Sequence, residues 1–323
     1  MAFQQTFYLV LSYKKSKKGL SMNRKKYRNA SYRRSLFAYI LISPGVLLIA
    51  LILLYPLLRG VLSSFFLSTQ GTVDFKTFVG LDHYINLIKD SIFKASIRNS
   101  LIWTSINVFF MYIIGSGIAL ILNKSFRGRG FYRSVILIPW VVPGIAAAMT
   151  WKWMYSNQYG VINFVLNKLG LTSTNIDWLG SPKFALGAVM VVAIWKAIPF
   201  ITIVILAALQ SIDSTCYEAA RIDGANSFQC FWNITLVGIR DVSITTILLE
   251  IIWTFSSFDL IYTMTAGGPS NSTMIVPVYT YLTAFRFFRL NYASAIGVIS
   301  LLIVGVFALL FVIYNNRQER NER

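Results

Sequence analysis

Long apolar runs alternate with short polar segments along this chain, and the length of the runs sets the first expectation. A bilayer core about 30 Å thick is crossed by about 20 apolar residues in helical form. Three uncharged runs meet that length: 24 residues from Ser35 to Leu58, 25 from Asn99 to Asn123 and 27 from Leu290 to Asn316. Three others are shorter or interrupted. Ser134 to Tyr155 contains Lys152, Phe184 to Ile212 contains Lys196, and Val242 to Thr263 contains Glu250 and Asp259. The pattern predicts an all-α membrane protein of six spans. In the fifth, Thr246, Glu250, Trp253, Thr254 and Ser257 recur at helical spacing, so that helix is predicted to turn a polar stripe away from lipid.

Charge orients the spans. Six crossings put both termini on one side, and with the N-terminus inside, inner segments carry 19 Lys and Arg against eight in outer ones. The positive-inside rule then places both termini in the cytoplasm. The same asymmetry accounts for most of the formal charge of +18, so nucleic-acid binding is not needed to explain it. The clusters Lys14 to Lys18 and Arg24 to Arg34 read as a solvated tail against anionic inner-leaflet lipid. A short apolar run, Phe7 to Leu11, precedes the basic cluster, the reverse of a signal peptide, and Met22 is an alternative start. The expected organisation is a basic cytoplasmic tail over 1–35, a six-span domain over 36–316 and a cytoplasmic tail over 317–323.

At 1.5 Å per residue, Arg59, Lys152 and Asp259 fall near the outer boundary, where side chains reach water. Lys196 and Glu250 fall near the midplane. Charge there is expensive and marks either a mutually neutralising pair or a pathway.

Between the fourth and fifth spans, Ser211 to Asp241 is nearly neutral and rich in helix formers, unlike a short basic loop. Ser214 is predicted to cap a short helix holding Tyr217 to Ala220, Asp223-Gly224 to break it, and an amphipathic piece with Phe228, Phe231, Trp232 and Ile234 to follow. Two short helices projecting into the cytosol would form a docking knob. Cys216 and Cys230 lie in this segment, where a reducing compartment makes both packing residues rather than a disulfide.

The stretch Glu218-Ala219-Ala220, with Asp223, Gly224, Ala225, Ile234 and Leu236, resembles the EAA loop by which membrane subunits of bacterial ATP-binding-cassette (ABC) importers dock on their ATPases. Further segments extend the likeness from Leu36 onward: Gly80-Leu81-Asp82 with Tyr84, Gly128-Arg129-Gly130-Phe131 leading to Pro139, Trp151 with Trp153, and Phe258 to Tyr262 followed by Gly267-Gly268-Pro269. Together they resemble permeases of the maltose and glycerol-phosphate importer type. One departure is Val237, where that family has proline after Leu236; the kink after the second coupling helix is therefore not implied here, while the docking knob still is.

The resemblance implies a type I importer permease, coupled through Glu218 to Ala220 and Asp223 to Ala225. It implies a heterodimer with a second related permease, two ATPase subunits, an extracytoplasmic solute-binding protein, and alternating access in the bacterial cytoplasmic membrane. None of the 20 glycines is followed by lysine, so the chain lacks a P-loop, and ATP and Mg would be bound by the partner ATPases. No cofactor is expected in the chain itself. Sugars are held by aromatic faces and hydroxyl-matching polar groups, which makes Glu250, Trp253, Ser257 and Phe258 the leading pathway candidates, with Trp195 and Tyr155 behind them. The alternative is an ion-coupled secondary transporter using Glu250 and Lys196, which would be expected to show inverted repeats. A membrane hydrolase is disfavoured by a single histidine, His83, in an external segment.

Overall fold

The computed structural model describes residues 39–67 and 75–321, with side chains through Asn316. The tail expected over 1–35 lies outside the described residues. The backbone of the sixth span continues helical through Asn321, into the stretch expected to be a C-terminal tail. The chain divides into two units, Met1–Gly60 and Val61–Arg323. In the first unit, the described residues form one helix beginning at Tyr39, with a π-turn at Ala50–Leu54 and none of its apolar side chains buried. Such a helix, apolar all round and uncovered, requires an apolar surrounding.

Long apolar helices stand at Tyr39–Ser63, Ser91–Asn123, Ala185–Gln210, Ser227–Thr265 and Leu290–Asn316, five of the length and composition of a crossing; the pair Arg129–Val141 and Gly144–Met154, bent by 91°, makes six when counted as one span. The bend falls at Val142-Pro143, where proline removes a helical N–H and forces its predecessor into extended geometry. The second span begins eight residues before the predicted Asn99, because Asp90 caps it by accepting from the amides of Ile92 (2.8 Å) and Phe93 (3.2 Å). Counting charges alone ended the prediction at Arg98, whereas the helix carries Lys94 and Arg98 beyond the apolar run.

The core of the second unit lies between the second and fourth spans. Gly115 permits it: a Cβ there would come within 2.7 Å of Ile201. Thr202 Oγ1 donates to the Gly115 carbonyl at 3.2 Å and to that of Ile198 at 2.8 Å. Small residues and hydroxyls are what hold helices together where lipid is as apolar as leucine. The fifth span joins through Trp103, whose Nε1 donates to the Thr254 carbonyl at 3.0 Å.

At the end opposite the 211–241 loop, Asp90 gathers three elements. It caps the second span, and its Oδ2 accepts from Tyr279 at 2.5 Å, on the helix Val276–Tyr281, and from Tyr292 at 3.1 Å, on the sixth span. Partial burial pushes the Asp90 carboxyl up, but the bonds from Tyr279, Phe93, Ile92 and Tyr292 outweigh it and hold the group below its usual range. A carboxylate with a depressed folded-state pKa contributes stability above its unfolded value, and that contribution is lost as pH falls through the folded-state value. Asp90→Ala is therefore expected to cost about 2 kcal/mol at neutral pH through the lost cap and charged hydrogen bonds. A thermal melt in detergent at pH 7 should show a lower midpoint for the variant, and the gap should close on acidification below pH 4.

Nearby, the Gly267-Gly268-Pro269 segment is fastened to the second span. Asn99 Nδ2 donates to the carbonyls of Asn271 (3.0 Å) and Met274 (3.1 Å), and Ser100 Oγ accepts from the Val276 amide at 2.8 Å. Gly267 has φ of +87°, a conformation strained for any residue with a Cβ, and a Cβ there would also come within 2.6 Å of the Met274 methyl.

Candidate functional site

The segment from Ser211 to Asp241 differs in two ways from the predicted pair of short helices. The helix Ser214–Ile222 is capped by Asp213, not Ser214, with the Asp213 carboxylate accepting from the Thr215 amide at 2.9 Å. That bond holds the Asp213 carboxyl below its usual range. Second, the amphipathic piece is not separate. It starts at Ser227 in a capping box of Asn226 and Gln229, passes through a π-turn at Phe231–Thr235, and continues without a break as Leu236–Phe255. With Val237 in place of proline, nothing interrupts the backbone ladder.

The turn between these helices is built by Gly224, at φ +79°, and closed by the Ala225 amide on the Ala220 carbonyl at 2.8 Å. Tyr217 and Thr235 share a hydroxyl hydrogen bond of 3.0 Å that seats the first helix on the second. Glu218, Ala219 and Asp223 are exposed, and Ala220 and Ala225 are half-buried. Ile222 is 86% exposed and Phe228 70%, so apolar side chains flank the acidic ones on an open surface. Cys216 and Cys230 are free thiols.

About midway along the spans of the second unit lies a cleft of about 280 Å³. It is lined by Trp103 and Met111 of the second span, Trp140 of the third, Ala193, Lys196, Ala197 and Phe200 of the fourth, and Glu250, Trp253, Thr254, Ser257 and Leu260 of the fifth. Trp140, Phe200 and Trp253 form a continuous aromatic wall, with ring centroids 6.5 Å and 5.4 Å apart. Of the stripe predicted on the fifth span, Thr246, Glu250 and Thr254 are buried, while Trp253 is 53% exposed.

Lys196 and Glu250 share this cleft without forming an ion pair. Lys196 Nζ instead donates to the carbonyls of Val142 at 2.6 Å and Trp140 at 3.4 Å. These are carbonyls left without amide partners where the third span breaks, and a cation at a helix C-terminus also meets the negative end of its dipole. The lysine thus repairs the break that Pro143 creates. Mutual neutralisation, one of the two roles considered for the pair, is not what the geometry provides.

The other aromatic candidates lie elsewhere. Tyr155 is buried, with its hydroxyl donating to the Ala188 carbonyl at 3.1 Å. Trp195 packs edge-on against Trp151 at 5.6 Å, and Phe258 stacks on Tyr262 at 4.8 Å. Conversely, Trp103, Trp140 and Phe200 line the cleft without having been singled out. For Trp103 a signal existed: Asn99, Trp103 and Asn107 recur every four residues, a polar stripe like that of the fifth span. Trp140 and Phe200 carried none, because their approach depends on the bend at Pro143.

The fold and the cleft define a multi-span helical membrane protein with a polar and aromatic chamber at mid-depth, the build of a transport component. The family described as "Binding-protein-dependent transport system inner membrane component" matches residues 111–321, and the chain belongs to that family: it is a membrane permease component. It is 35% identical over 287 residues to the trehalose/maltose transport system permease protein MalF of Thermococcus litoralis, covering 87% of this chain and 94% of that one. It is 35% identical over 264 residues to the sulfoquinovosyl glycerol transport system permease protein SmoG of Agrobacterium fabrum, covering 82% and 85%. Among solved structures, the bacterial alginate ABC transporter, in complex with alginate pentasaccharide-bound periplasmic protein, has a chain of the same fold. The TM-score is 0.75 at 22% identity, covering 89% of this chain and 96% of that one.

Proposed function

We propose that this chain is one permease subunit of an ATP-driven importer that moves a sugar or oligosaccharide across the cytoplasmic membrane by alternating access. The observation that carries the reading is the continuity of the fifth span. One helical rod runs from Phe228, beside the helix that carries Glu218, to Glu250 and Trp253 in the cleft, a distance of about 35 Å at 1.5 Å per residue. Movement imposed on the knob is delivered to the cleft wall, because no flexible joint lies between Ser227 and Phe255.

In this reading two partner ATPases bind ATP and Mg, close on the nucleotide and draw the knob with them. The cleft then exchanges its opening between the cytoplasm and the outside. A second, related permease faces this one, and an external solute-binding protein delivers the sugar. Both termini lie in the cytoplasm. Glu218, Ala219, Ala220, Asp223, Gly224 and Ala225 make the docking surface, with the alanines allowing close approach. The aromatic wall of Trp140, Phe200 and Trp253 offers flat surfaces to sugar C–H groups, and Glu250 and Ser257 offer hydroxyl partners. The substrates in the names of the two relatives, trehalose/maltose and sulfoquinovosyl glycerol, support the carbohydrate class.

Reconstituted with its partners in proteoliposomes, the chain is expected to import sugar with ATP on the cytoplasmic side and no ion gradient. Uptake driven by a proton or sodium gradient without ATP would instead establish the ion-coupled alternative through Glu250 and Lys196.

A further inference from the structure

The segment between the third and fourth spans contains a helix with apolar side chains on two faces: Ile162 packs on the core, and a second stripe points outward. In Val161–Lys168, the side chains of Val161, Phe164 and Val165 are 47%, 63% and 45% exposed, whereas Asn163 is 2% exposed. An ordinary surface helix turns its apolar stripe inward and its asparagine outward. Here the inward face combines the packing of Ile162 with hydrogen bonds from Asn163. Asn163 Oδ1 accepts from the Trp178 indole at 3.0 Å and the Ile176 amide at 3.2 Å, and its Nδ2 donates to the Ile176 carbonyl at 2.9 Å. Asn167 and Asn175 extend the polar floor with a bond of 2.7 Å. The apolar residues at i, i+3 and i+4 are left pointing away from the protein.

The level of this helix in the membrane can be read from its neighbours. Tyr155, at the end of the third span, bonds to Ala188 and lies 5.8 Å from Trp178, measured between ring centroids. Ala188 precedes Lys196 by eight residues in the fourth span, hence about 12 Å from the depth of the cleft, close to the edge of the hydrocarbon. The exposed stripe therefore begins where the uncovered side of the third span ends, at Trp153, which is 71% exposed. Tyr159, 66% exposed, and Lys168, whose Nζ lies 5.9 Å from the Phe164 ring centroid, complete an edge of aromatic and cationic groups. Such groups partition to the boundary between headgroups and acyl chains.

We propose that Val161–Lys168 is an interfacial helix, lying on the leaflet opposite the 211–241 loop with Val161, Phe164 and Val165 inserted among the lipids. In the orientation proposed above that is the outer leaflet, but the inference holds for either orientation. The lipid surface supplies the apolar contact that the outward stripe requires, and the asparagine floor adds rigidity to the packing of Ile162 on the core. The third and fourth spans are thereby tethered to the plane of the bilayer on either side of the Pro143 bend and Lys196.

The test uses single cysteines at Val161, Phe164 and Val165, each with Cys216→Ser and Cys230→Ser, spin-labelled in the chain assembled with its partners in phosphatidylethanolamine and phosphatidylglycerol nanodiscs. A cysteine at Ser173, exposed in the same segment, and the free spin label in buffer serve as aqueous references. Collision with oxygen relative to a water-soluble nickel chelate is expected to be several-fold higher at all three positions than at these references. Three positions guard against one that perturbs folding. A ratio equal to that of the references would place the helix in water and overturn the proposal. Low collision with both reagents, or a ratio that changes only when the solute-binding protein is added, would show that a protein surface covers the stripe and would overturn it equally.

Discussion

Glu218→Lys is expected to abolish sugar-stimulated ATP hydrolysis and sugar uptake while leaving expression and membrane insertion near normal. Glu218 is exposed on the helix Ser214–Ile222, and its side chain makes no hydrogen bond among the described residues. Surface substitutions of that kind rarely alter stability by more than about 0.5 kcal/mol. The seat of the helix does not depend on it either: Asp213 caps the first turn, Tyr217 meets Thr235, and Gly224 closes the exit. At a docking surface the same change has another weight, since a reversed charge facing a partner leaves both its own charge and its counterpart unpaired. The proteoliposome assay reads the loss directly, and co-purification with the ATPase locates it at docking. A variant that still takes up sugar at the wild-type rate would remove Glu218 from the coupling surface.

The crossings were legible in the sequence because hydrocarbon imposes a length, and a run such as Leu290 to Asn316 has no other physical use. Where charge marked the limit, the boundary moved: Asp90 carries the second helix past Arg98, since capping energy acts on the backbone and not on hydropathy. The knob was legible through composition, and its turn through Gly224. Its fusion with the fifth span was not, because Asn226 and Gln229 start a helix as readily for a short segment as for a long one. On the cleft, a stripe at helical spacing identified Glu250, Trp253 and Ser257, but the facing wall came from tertiary geometry. Lys196 illustrates the difference. Its depth was computed from the chain, yet its partners are carbonyls exposed by a bend 54 residues away in sequence. Proline position predicts a bend, but not which cation will meet it.

Trp253→Ala and Glu250→Gln are expected to impair uptake by different amounts, and together they test whether the cleft is the sugar path. Trp253 is half-exposed and reaches Phe200 with ring centroids 5.4 Å apart, so its removal shortens the aromatic wall without opening the buried core. A lost stacking surface is worth about 1 kcal/mol, or about fivefold in apparent affinity. Ile252→Ala, about 100° round the same helix, should be milder. Glu250 is buried at the cleft, and Lys196 is engaged with Val142 and Trp140, so the acid is free to accept from a substrate hydroxyl. If so, Glu250→Gln weakens a charged hydrogen bond of about 1.5–3 kcal/mol, and uptake should fall by about tenfold or more while expression holds. Loss of expression with normal uptake per molecule would mean that the carboxyl serves packing alone. Cysteines placed from Thr246 to Phe258, with protection by sugar against a small thiol reagent, give the direct map. Protection is expected at 250, 253 and 257, which line the cleft together with Thr254, and an even spread around the helix would show that the fifth span does not face the substrate.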